Sequence, residues 1–357
     1  MKILALTRYS RMGASSRLCV YQYLPALQKL GFEVTISPLL DDDYLHRFYA
    51  GKTIAWHKVM VDYLKQMKSL LQVKSFDLLW IEKELFPFLP AWFEQALNVA
   101  GIRYVVEYDD AIFHNYDLNN NLFVRKFLRD KIDKVMRNAS LVIAGNGYLA
   151  NRAIVAGAKR VEILPTVVDI DRHSVERHPN DNDKFIVGWI GSLVTVKYLD
   201  SIAPLLKTLA VEIPIKLRVI GAQFSYPGLD VDCEEWKEEN EVEKIQLFDV
   251  GIMPLTDSPW ERGKCGYKLI QYMACGIPVV ASSVGVNCEI VKHGINGYLV
   301  YTDDEWIFAF RKLYENYELR REFGAQGRRD VEQKYCLQVT APRLAHLFSE
   351  VILRGKA

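Results

Sequence analysis

The chain has 357 residues, half of them hydrophobic, which is enough for two ordinary domains and too long for one typical core. Its 45 lysines and arginines nearly balance its 44 aspartates and glutamates. It therefore lacks the overall basic field of proteins that depend on DNA or RNA phosphates, and we expect two globular domains and no nucleic-acid partner.

The first half of the sequence alternates short apolar runs with segments of helical period. It opens with a predicted strand at Lys2–Thr7, a helix at Ser16–Leu30 and a strand at Glu33–Ser37. Further strands are predicted at 77–81, 104–107, 141–144 and 161–164, with helices such as 56–71 and 122–136 between them. This alternation is typical of a parallel sheet with helices on both faces.

A polar run at His173–Lys184 follows and is predicted to be a linker. Beyond it the alternation restarts, with strands at 185–190, 215–220, 250–253, 278–281 and 297–300 and helices at 196–210 and 266–275. The tail from Asp303 to Arg354 is predicted to be helical. The predicted organisation is a domain at 1–172, a linker at 173–184, a second domain at 185–335 and a C-terminal helix at 336–357 that packs back on the first domain.

Three features of the sequence bear on where in the cell the protein is located: its cysteines, its first residues and its hydropathy. The six cysteines are scattered, without a CxxC pair or a histidine at metal-ligand spacing, so we expect reduced thiols and no metal site. Met1–Thr7 leads directly into a strand, without the apolar segment of a signal peptide. No stretch approaches the roughly 20 apolar residues that cross a bilayer. We expect a cytoplasmic protein whose membrane contact is at most peripheral.

Two strand-to-helix junctions in the second domain place lysine where a helix begins. The first, Gly188–Lys197, contains Gly191, Ser192 and Lys197, and the second is Arg262–Lys268. Free amides and the helix dipole make a helix N-terminus positive, so lysine is unfavourable there unless an anion lies between them. The sequence therefore predicts a phosphate site, with ordinary surface lysines as the alternative at each junction.

Individual positions in these junctions have predicted roles. Thr195 is the expected N-cap of the helix that contains Lys197. Gly266 would let backbone amides approach a ligand closely, with Lys264 and Lys268 on either side. Because parallel sheets bind ligands at the carboxyl ends of their strands, we expect the chemistry in a cleft between the two domains.

Two loops of the first domain also carry polar groups. Arg8–Arg17 follows the first strand and contains Gly13, but it lacks the GxGxxG pattern of dinucleotide sites, which disfavours an oxidoreductase. Glu107–Asp110 ends another strand, where paired acids would orient a hydroxyl or take its proton. Helix capping is the alternative for Asp109 and Asp110.

The segment Asn121–Asn138 has the pattern of a basic amphipathic helix, with six lysines and arginines among apolar residues such as Phe123 and Phe127. Such a helix either lies on anionic lipid or packs its apolar face on the sheet and leaves its charges in water. The sequence leaves both possibilities open.

The string GKCGYKLIQYMACGIPVVASSVGVNCEIVKHGINGYLV at Gly263–Val300, with FDVGIMPL and GWIGS before it, resembles the donor half of family 4 glycosyltransferases with the GT-B fold. The likeness is strong over residues 185–335 and looser over the N-terminal MKILALTRYSRMGASS. It implies an α/β GT-B architecture: two Rossmann-like, doubly wound domains face a central cleft, the first binding the acceptor and the second the nucleotide-sugar donor. It also implies a retaining transfer that needs neither metal nor cofactor.

The resemblance assigns roles by position. Lys197 matches the lysine that holds the donor diphosphate, Gly13 matches the glycine loop that faces it, and Lys264–Lys268 matches the loop whose amides touch the phosphates and the sugar. The implied donor-binding residues are Gly13, Gly191, Ser192, Lys197, Lys264, Cys265, Gly266, Tyr267, Lys268 and Gln271. Lys197 and Lys268 are expected to stabilise the leaving diphosphate and Asp110 to orient the acceptor, so these three are the predicted catalytic residues.

The sequence departs from the family pattern at several of these positions. The two glutamates that the family has eight positions apart are Gly263 and Gln271 here, and the frequent arginine after the glycine of the first junction is Ser192. The usual histidine at the end of the fourth strand appears as Asp109 or Asp110. These departures concern the contacts to the sugar and to one phosphate.

The resemblance predicts a retaining, hexosyltransferase-type enzyme of bacterial surface polysaccharide, lipopolysaccharide or glycoconjugate biosynthesis. The expected partners are a nucleotide diphosphate sugar and a saccharide or lipid-linked saccharide acceptor, with peripheral contact to an anionic membrane at the inner face of the cell membrane. Two alternatives stay open. One is a catalytically silent subunit that binds nucleotide sugar or a partner, and the other is a nucleotide-sugar 2-epimerase, whose interdomain acids are not evident.

Overall fold

The computed structural model describes residues 1–53, 56–173, 175 and 184–354. The chain divides into two compact units. The first unit comprises Met1–Thr166, Gly263–Cys265 and Leu337–Ala357, and the second comprises Val167–Arg262 and Gly266–Cys336. Of the predicted linker, residues 174 and 176–183 lie outside the described residues.

Each unit is built on a parallel sheet of six strands. The sheet of the first unit has the order β2-β1-β3-β4-β5-β6, from strands β1 (Lys2–Tyr9), β2 (Glu33–Leu40), β3 (Leu78–Glu82), β4 (Tyr104–Tyr108), β5 (Leu141–Ala144) and β6 (Val161–Ile163). The sheet of the second unit has the order β12-β11-β10-β7-β8-β9, from strands β7 (Phe185–Ile190), β8 (Ile215–Ile220), β9 (Val231–Glu234), β10 (Val250–Met253), β11 (Val279–Ser282) and β12 (Gly297–Val300). Two doubly wound α/β units confirm the predicted fold class.

Helices connect the strands of both sheets. In chain order the α-helices are α1 (Ala14–Cys19), α2 (Leu24–Lys29), α3 (Asp42–Tyr49), α4 (Trp56–Leu70), α5 (Trp92–Val99), α6 (His114–Asp117), α7 (Leu122–Leu128), α8 (Lys131–Asn138), α9 (Gly147–Val155), α10 (Ala203–Leu209), α11 (Glu241–Gln246), α12 (Pro259–Arg262), α13 (Tyr267–Ala274), α14 (Asn287–Ile290), α15 (Asp303–Glu315), α16 (Tyr317–Lys334) and α17 (Leu337–Leu353). Short 3-10 helices lie at Tyr21–Tyr23, Val73–Ser75, Ile170–Arg172 and Val196–Ser201.

The central strands are apolar on both faces because each sheet is covered on both sides. In β7, Val187 and Trp189 belong to one buried cluster, and Ile186 and Ile190 belong to another. All six residues of β7 are buried. This two-sided burial explains why the strand appears in the sequence as a continuous apolar run.

Prolines interrupt two helices that the sequence predicts as continuous. The segment predicted at Ser16–Leu30 is α1, a 3-10 turn and then α2, which has Pro25 in its first turn. The segment predicted at 196–210 is a 3-10 helix followed by α10, which has Pro204 in its first turn. Proline lacks an N–H donor and is accepted in the first turn of a helix. Each proline therefore lies at the start of a new helix.

Two further predictions are corrected by the structure. The helix predicted at 122–136 is divided into α7 and α8, which are separated by Arg129 and Asp130. Strand β9 was not predicted, because its four residues, Val231–Glu234, include two acids and form no apolar run. It pairs only with β8, at the edge of the sheet, where half-buried polar side chains are accepted.

The C-terminal helix α17 belongs to the first unit. The Tyr23 hydroxyl lies 3.0 Å from Thr340 Oγ1, and the Arg103 guanidinium donates to the backbone oxygens of Val351 and Ile352 at 3.3 and 3.0 Å. Among the helices of the described residues, none combines the length and the hydropathy that a bilayer-crossing span requires.

Candidate functional site

The strand order of each sheet reverses at one point. Counted in chain order, the second sheet has the order 3-2-1-4-5-6 of dinucleotide-binding sheets and reverses between β7 and β10. The first sheet reverses between β1 and β3. Open parallel sheets bind ligands outside the carboxyl ends of the strands at such a switch point. The residues that follow these four strands are therefore the candidates for a site.

The first junction of the second unit begins where β7 ends. A Cβ on Gly191 would lie 2.5 Å from the Trp189 ring and 2.7 Å from Lys268 Nζ, so only glycine fits here. The next turn is closed on itself: the Ser192 amide donates to Thr195 Oγ1 at 3.1 Å, and the Thr195 amide donates to Ser192 O at 2.9 Å. Thr195 does precede a helix, but its side chain caps no helix amide. Thr195 is the N-cap residue by position, as predicted, but its hydroxyl bonds Ser192 and not a helix amide.

The second junction reaches the first one through Lys268. This residue lies in the first turn of α13, and its ammonium lies 3.4 Å from Thr195 Oγ1 and 4.5 Å from the centroid of the Trp189 ring. Gly191 is close to the same ammonium. The structure thus brings Gly191, Thr195 and Lys268 together at the switch point, and the cation lies against the face of an aromatic ring.

Lys197 follows in the first turn of the 3-10 helix and is exposed. Its ammonium lies 5.5 Å from the centroid of the Tyr198 ring. The Tyr198 hydroxyl donates to Glu261 at 2.6 Å, and Ser258 also bonds this carboxylate. Burial acts to raise the pKa of Glu261, but the two hydrogen bonds and the nearby Lys197 charge hold it below its ordinary value. Glu261 therefore remains ionised beside Lys197.

Gly266 begins α13 in the left-handed region, with φ of +68°. A Cβ there would lie 2.4 Å from Ile290 Cδ1, so both the backbone and the neighbouring side chain require glycine. Tyr267 follows and is half-buried. Lys268 lies in the first turn of α13, just after Gly266, which is the position where the sequence predicts a phosphate site.

Gln271 is buried in the second turn of α13. Its side-chain amide donates to Glu241 Oε1 at 2.8 Å, and the Trp236 ring N–H donates to the other oxygen of the same carboxylate. Glu241 thus places a carboxylate next to the position where the family has its second glutamate. The sequence did not single out this residue, which lies thirty positions earlier.

The three residues between the junction helices, Gly263–Cys265, belong to the first unit. The Lys264 ammonium lies 3.0 Å from Asp110 Oδ1, so these two predicted site residues form an ion pair. The Asn146 side chain donates to the backbone oxygens of Gly263 and Lys264 at 3.1 and 2.9 Å. These contacts hold the loop at the carboxyl ends of β4 and β5.

Steric contacts explain why glycine and cysteine occupy two positions of this loop. A Cβ on Gly263 would lie 2.4 Å from Ala111 Cβ, so the glutamate expected there has no room. The Cys265 sulfur occupies the space beside Gly145, at 2.3 Å from where a Cβ would be. Burial raises the pKa of the Cys265 thiol well above its ordinary value. Cys265 therefore contributes packing.

The loop after β1 contains Gly13, whose added Cβ would lie 2.4 Å from Tyr9 Cβ. The Gly13 amide donates to Ser10 O at 3.0 Å, which closes a tight turn before α1. The first serine of α1, Ser15, lies 2.6 Å from Asp109 Oδ2 and 3.0 Å from Glu82 Oε1. The loop after β1 is thus connected to the ends of β3 and β4.

Lys83 lies at the centre of this polar cluster and was not predicted as a site residue. Its ammonium lies 2.8 Å from both Asp109 Oδ1 and Ser15 Oγ, and its backbone adopts a left-handed φ of +67°. A left-handed lysine is strained by about 1–2 kcal/mol. Burial acts to lower the pKa of Lys83, but the charges of Asp109 and Glu82 raise it above its ordinary value. Lys83 is therefore a fixed cation at the first switch point.

The residues on either side of Lys83 are buried acids. Glu84 pairs with Arg8 at 2.9 Å and with Lys131 at 2.5 Å. Burial acts to raise the pKa of Glu84, but the charges of Lys131 and Arg8 hold it below its ordinary value. The signal that could have identified this site is the triplet Glu82–Glu84, three charged residues directly after an apolar strand.

Within the part of the chain that the structure describes, no group of three or more histidine, cysteine, aspartate or glutamate side chains is arranged to hold a metal ion. The groups that collect at the two switch points are ammonium groups, hydroxyls and carboxylates. In the second unit they offer positive charge and N–H donors to an anion, and in the first unit they offer carboxylates to a hydroxyl.

Comparison with known proteins agrees with this arrangement. Residues 171–330 match the family model "Glycosyl transferases group 1". The chain is 25% identical over 220 residues to the capsular polysaccharide biosynthesis glycosyltransferase CapM of Staphylococcus aureus, a match that covers 58% of each chain. The first curated relatives are matched over 25 to 58% of their own length.

Two solved structures share the whole fold. Sucrose-phosphate synthase from Thermosynechococcus elongatus has a TM-score of 0.74 at 15% identity and covers 99% of this chain and 100% of its own. HepE from Anabaena, solved with UDP-glucose, has a TM-score of 0.72 at 17% identity, with 98% and 100% covered. These comparisons confirm the GT-B fold that the resemblance implies, and the match of residues 171–330 to the group 1 glycosyl transferase model lies in the half of the chain where the resemblance is strong.

Proposed function

We propose that this protein transfers a hexosyl group from a nucleotide diphosphate sugar to a saccharide acceptor, with retention at the anomeric carbon. The observation that carries the proposal is the meeting of Lys268 with Gly191 and Thr195 at the switch point of the second sheet. This arrangement presents a cation, a hydroxyl and a backbone free of side chains at the place where parallel sheets bind nucleotides. The family match over the same residues supports the assignment.

The proposed role of each residue follows from the charge that develops on the leaving diphosphate. Breaking the bond between the anomeric carbon and the diphosphate leaves negative charge on the diphosphate. Lys268, Lys197 and the positive N-terminal end of the α13 dipole would stabilise that charge. The acceptor oxygen would bond to the anomeric carbon on the face that the diphosphate leaves, and a phosphate oxygen would take the acceptor's proton. Asp110 would orient the acceptor hydroxyl. No step in this scheme needs a metal or a cofactor.

The donor and acceptor classes are proposed from the relatives. HepE was solved with UDP-glucose, which supports a uridine diphosphate sugar as the first donor to test. CapM is named for capsular polysaccharide biosynthesis, which supports a role in surface polysaccharide, lipopolysaccharide or glycoconjugate assembly. We propose a saccharide or lipid-linked saccharide acceptor, used at the inner face of the cell membrane by a cytoplasmic protein in peripheral contact with it.

The experiment has two stages. Purified protein is first heated with a panel of nucleotide sugars, because a ligand at about 100 times its Kd stabilises a protein by roughly 2.7 kcal/mol. Donors that raise the melting temperature are then incubated with and without saccharide acceptors in EDTA, and NMR reports the anomeric configuration of the product. We expect a product that keeps the donor configuration, in the presence of the chelator.

Each other outcome has a defined meaning. Absence of stabilisation by any nucleotide sugar would overturn the proposal. Stabilisation without donor hydrolysis or transfer would identify the catalytically silent subunit. A converted donor in the absence of acceptor would identify a 2-epimerase, and an inverted product would contradict retention.

A further inference from the structure

Helix α3 keeps its aromatic side chains out of the core. Of its eight residues, all of them described, Leu45 alone is buried. Tyr44 is half-buried, and Phe48 and Tyr49 are 45% and 40% exposed. A helix on a globular domain ordinarily turns its large apolar side chains inward. Helix α3 is thus attached through one leucine and presents three aromatic rings at the surface.

These rings form a connected row with the end of β1. The ring of Tyr9 lies 6.3 Å from that of Tyr44, centroid to centroid, with an angle of 27° between the planes. Tyr44 and Phe48, one helical turn apart, have centroids at 6.5 Å and planes at 5°. Tyr49 meets Phe48 edge-on at 5.7 Å. Parallel rings at such distances are displaced sideways, so part of each face stays uncovered. We call these four residues the aromatic row.

The aromatic row lies at the edge of the first sheet where ligands are expected. Tyr9 pairs with Leu40 at the carboxyl ends of β1 and β2, and open parallel sheets bind ligands outside these ends. The Tyr9 amide donates to Ser16 Oγ at 3.0 Å, and the same hydroxyl donates to Glu82 at the end of β3. The aromatic row therefore adjoins the polar cluster that contains Lys83.

Polar groups accompany the aromatic row. The Ser10 hydroxyl, in the loop after β1, donates to the exposed carboxylate of Asp42 at the start of α3. Burial raises the pKa of Tyr44 and of Tyr49, so both phenols keep their protons and can donate. A sugar ring has an apolar C–H face and a rim of hydroxyls. Its face suits the electron-rich face of an aromatic ring, and its hydroxyls suit carboxylates and phenols.

The extent of the aromatic row favours a saccharide over a protein partner. It is carried by one helix of eight residues and the end of one strand. Each partner in a stable protein complex buries about 800 Å², roughly 20–30 residues. Binding sites for small molecules need a few aromatic side chains and a small number of polar groups. The aromatic row has the size and composition of the second kind of site.

The position of the aromatic row sets the length of the ligand. In the first sheet, β3 separates β1 from β4. Adjacent strands lie about 4.8 Å apart, so the ends of β1 and β4 are separated by about 10 Å. Tyr9 ends β1, and Asp110 follows β4. This separation is greater than the width of one sugar ring, so a ligand that reaches both residues has more than one sugar.

We propose that the aromatic row binds a non-reacting sugar ring of the acceptor, so that this protein selects oligosaccharides over monosaccharides. The inference rests on the proposed function, in which Asp110 orients the reacting hydroxyl. The aromatic row acts in recognition: its loss should raise the KM for an oligosaccharide acceptor and leave kcat at saturating acceptor unchanged. Saccharide binding at the aromatic row needs no donor.

The test is saturation-transfer NMR on the full-length protein without nucleotide sugar. The aromatic ring protons are saturated, and transfer to sugar C–H protons is recorded for mono- and trisaccharides of glucose, galactose, mannose, rhamnose and N-acetylglucosamine. We expect the trisaccharides that bind to do so more tightly than their monosaccharides. Phe48→Ala should weaken trisaccharide binding by about threefold to tenfold, and Phe48→Trp should restore it. The matched control is Phe308→Ala, an exposed phenylalanine of α15 in the second unit.

Phe48 is exposed, so circular dichroism and melting temperature of its variants should match the wild type. Absence of saturation transfer to every sugar would overturn the inference, as would equal binding by wild type and Phe48→Ala. A wild-type dimer that Phe48→Ala converts to a monomer in sedimentation velocity would assign the aromatic row to a second copy instead. Transfer is assayed separately: an active enzyme indifferent to Phe48→Ala would remove the aromatic row alone, whereas saccharide binding without any transfer would remove the proposed function alone.

Discussion

The Lys268 ammonium lies 4.5 Å from the centroid of the Trp189 ring. Trp189 is the penultimate residue of β7, and Lys268 is the second residue of α13. The contact therefore places a cation where the two strand-to-helix junctions of the second sheet meet. A cation at a helix N-terminus opposes the helix dipole, and its attraction to the ring offsets part of that cost. The diphosphate of the proposed donor, bound beside Lys268, would offset the rest of that cost.

Replacing Lys268 with methionine should keep the packing on Trp189 and remove the charge. We expect kcat/KM to fall by about a hundredfold, or roughly 3 kcal/mol, which is typical of a lost transition-state charge contact. Initial rates at several donor concentrations measure the effect. The matched control is Lys312→Met, which removes another lysine that lies over an aromatic ring, that of Phe308. A Lys268→Met enzyme with the activity of this control would exclude the role.

Lys197→Ala should also reduce turnover by about a hundredfold, because its ammonium is expected to contact the diphosphate as charge develops. Glu261 and Tyr198 lie beside this lysine but keep their own hydrogen bond at 2.6 Å, so the fold should be unaffected. Single-turnover rates separate the chemical step from donor binding. Lys207→Ala, an exposed lysine over the Tyr226 ring, is the control. Unchanged turnover in Lys197→Ala would remove this residue from the mechanism.

Asp110→Asn tests the acceptor side of the site. The carboxylate lies 3.0 Å from the Lys264 ammonium. If Asp110 orients the acceptor hydroxyl, kcat should fall by about tenfold to a hundredfold while the donor Kd stays within about threefold. Asp230→Asn, which breaks the exposed pair with Lys184 at 2.7 Å, should change neither quantity. Donor affinity that falls in parallel with kcat would show that Asp110 acts on the donor instead.

Gly263→Glu would restore the glutamate of the family pattern and should destabilise the protein. The added Cβ would lie 2.4 Å from Ala111 Cβ, and overpacking of this kind costs about 1–3 kcal/mol. Chemical unfolding measures the loss, with Val211→Glu at an exposed position as the control. A Gly263→Glu protein of wild-type stability would mean that Ala111 moves aside, and the steric explanation for the missing glutamate would then fail.

Glu107 predicts a specific pH dependence. Burial raises its pKa to about 8, while its usual value is 4.5. The folded state therefore binds the proton more tightly than the unfolded state, and this contribution to stability is lost as pH rises towards the folded pKa. Between pH 6 and pH 8 the free energy of unfolding should fall by about 2 kcal/mol from this group alone.

Glu107→Gln removes this titration and keeps an oxygen that can accept from the Trp80 ring N–H, now at 2.9 Å. The difference between wild type and variant, measured by urea unfolding at pH 6, 7 and 8, isolates the contribution of Glu107. We expect the variant to gain relative to wild type at each step. A constant difference across this range would show that Glu107 is ionised throughout.

The sequence predicted the elements that depend on local pattern. Strands β7, β10 and β12 begin and end at the predicted residues, because apolar runs buried on both faces are distinct from their surroundings. The glycines at 191 and 266 were identified because tight strand-to-helix junctions require glycine. The interruptions of the predicted helices beside Pro25 and Pro204 were missed, although both prolines are present in the sequence.

The site residues that were missed act through distant partners. Glu241 reaches Gln271 from thirty residues away, and Lys83 contacts Ser15 and Asp109 from separate loops. The hydrophobic periodicity of a sequence contains no information on contacts between residues that are far apart in the chain.

The alternation of strands and helices, the glycine-bearing junctions and the lysines that follow them could be predicted from the amino-acid sequence, because they depend on local backbone preference and hydrophobic period. The contacts of the charged groups follow from the folded arrangement: Lys268 meets Trp189 and Thr195, Lys264 meets Asp110, and Lys83 meets Asp109. The physical reason is that electrostatic and steric contacts depend on distance in space, and strand order alone brings loops from separate parts of the chain to one edge of a sheet.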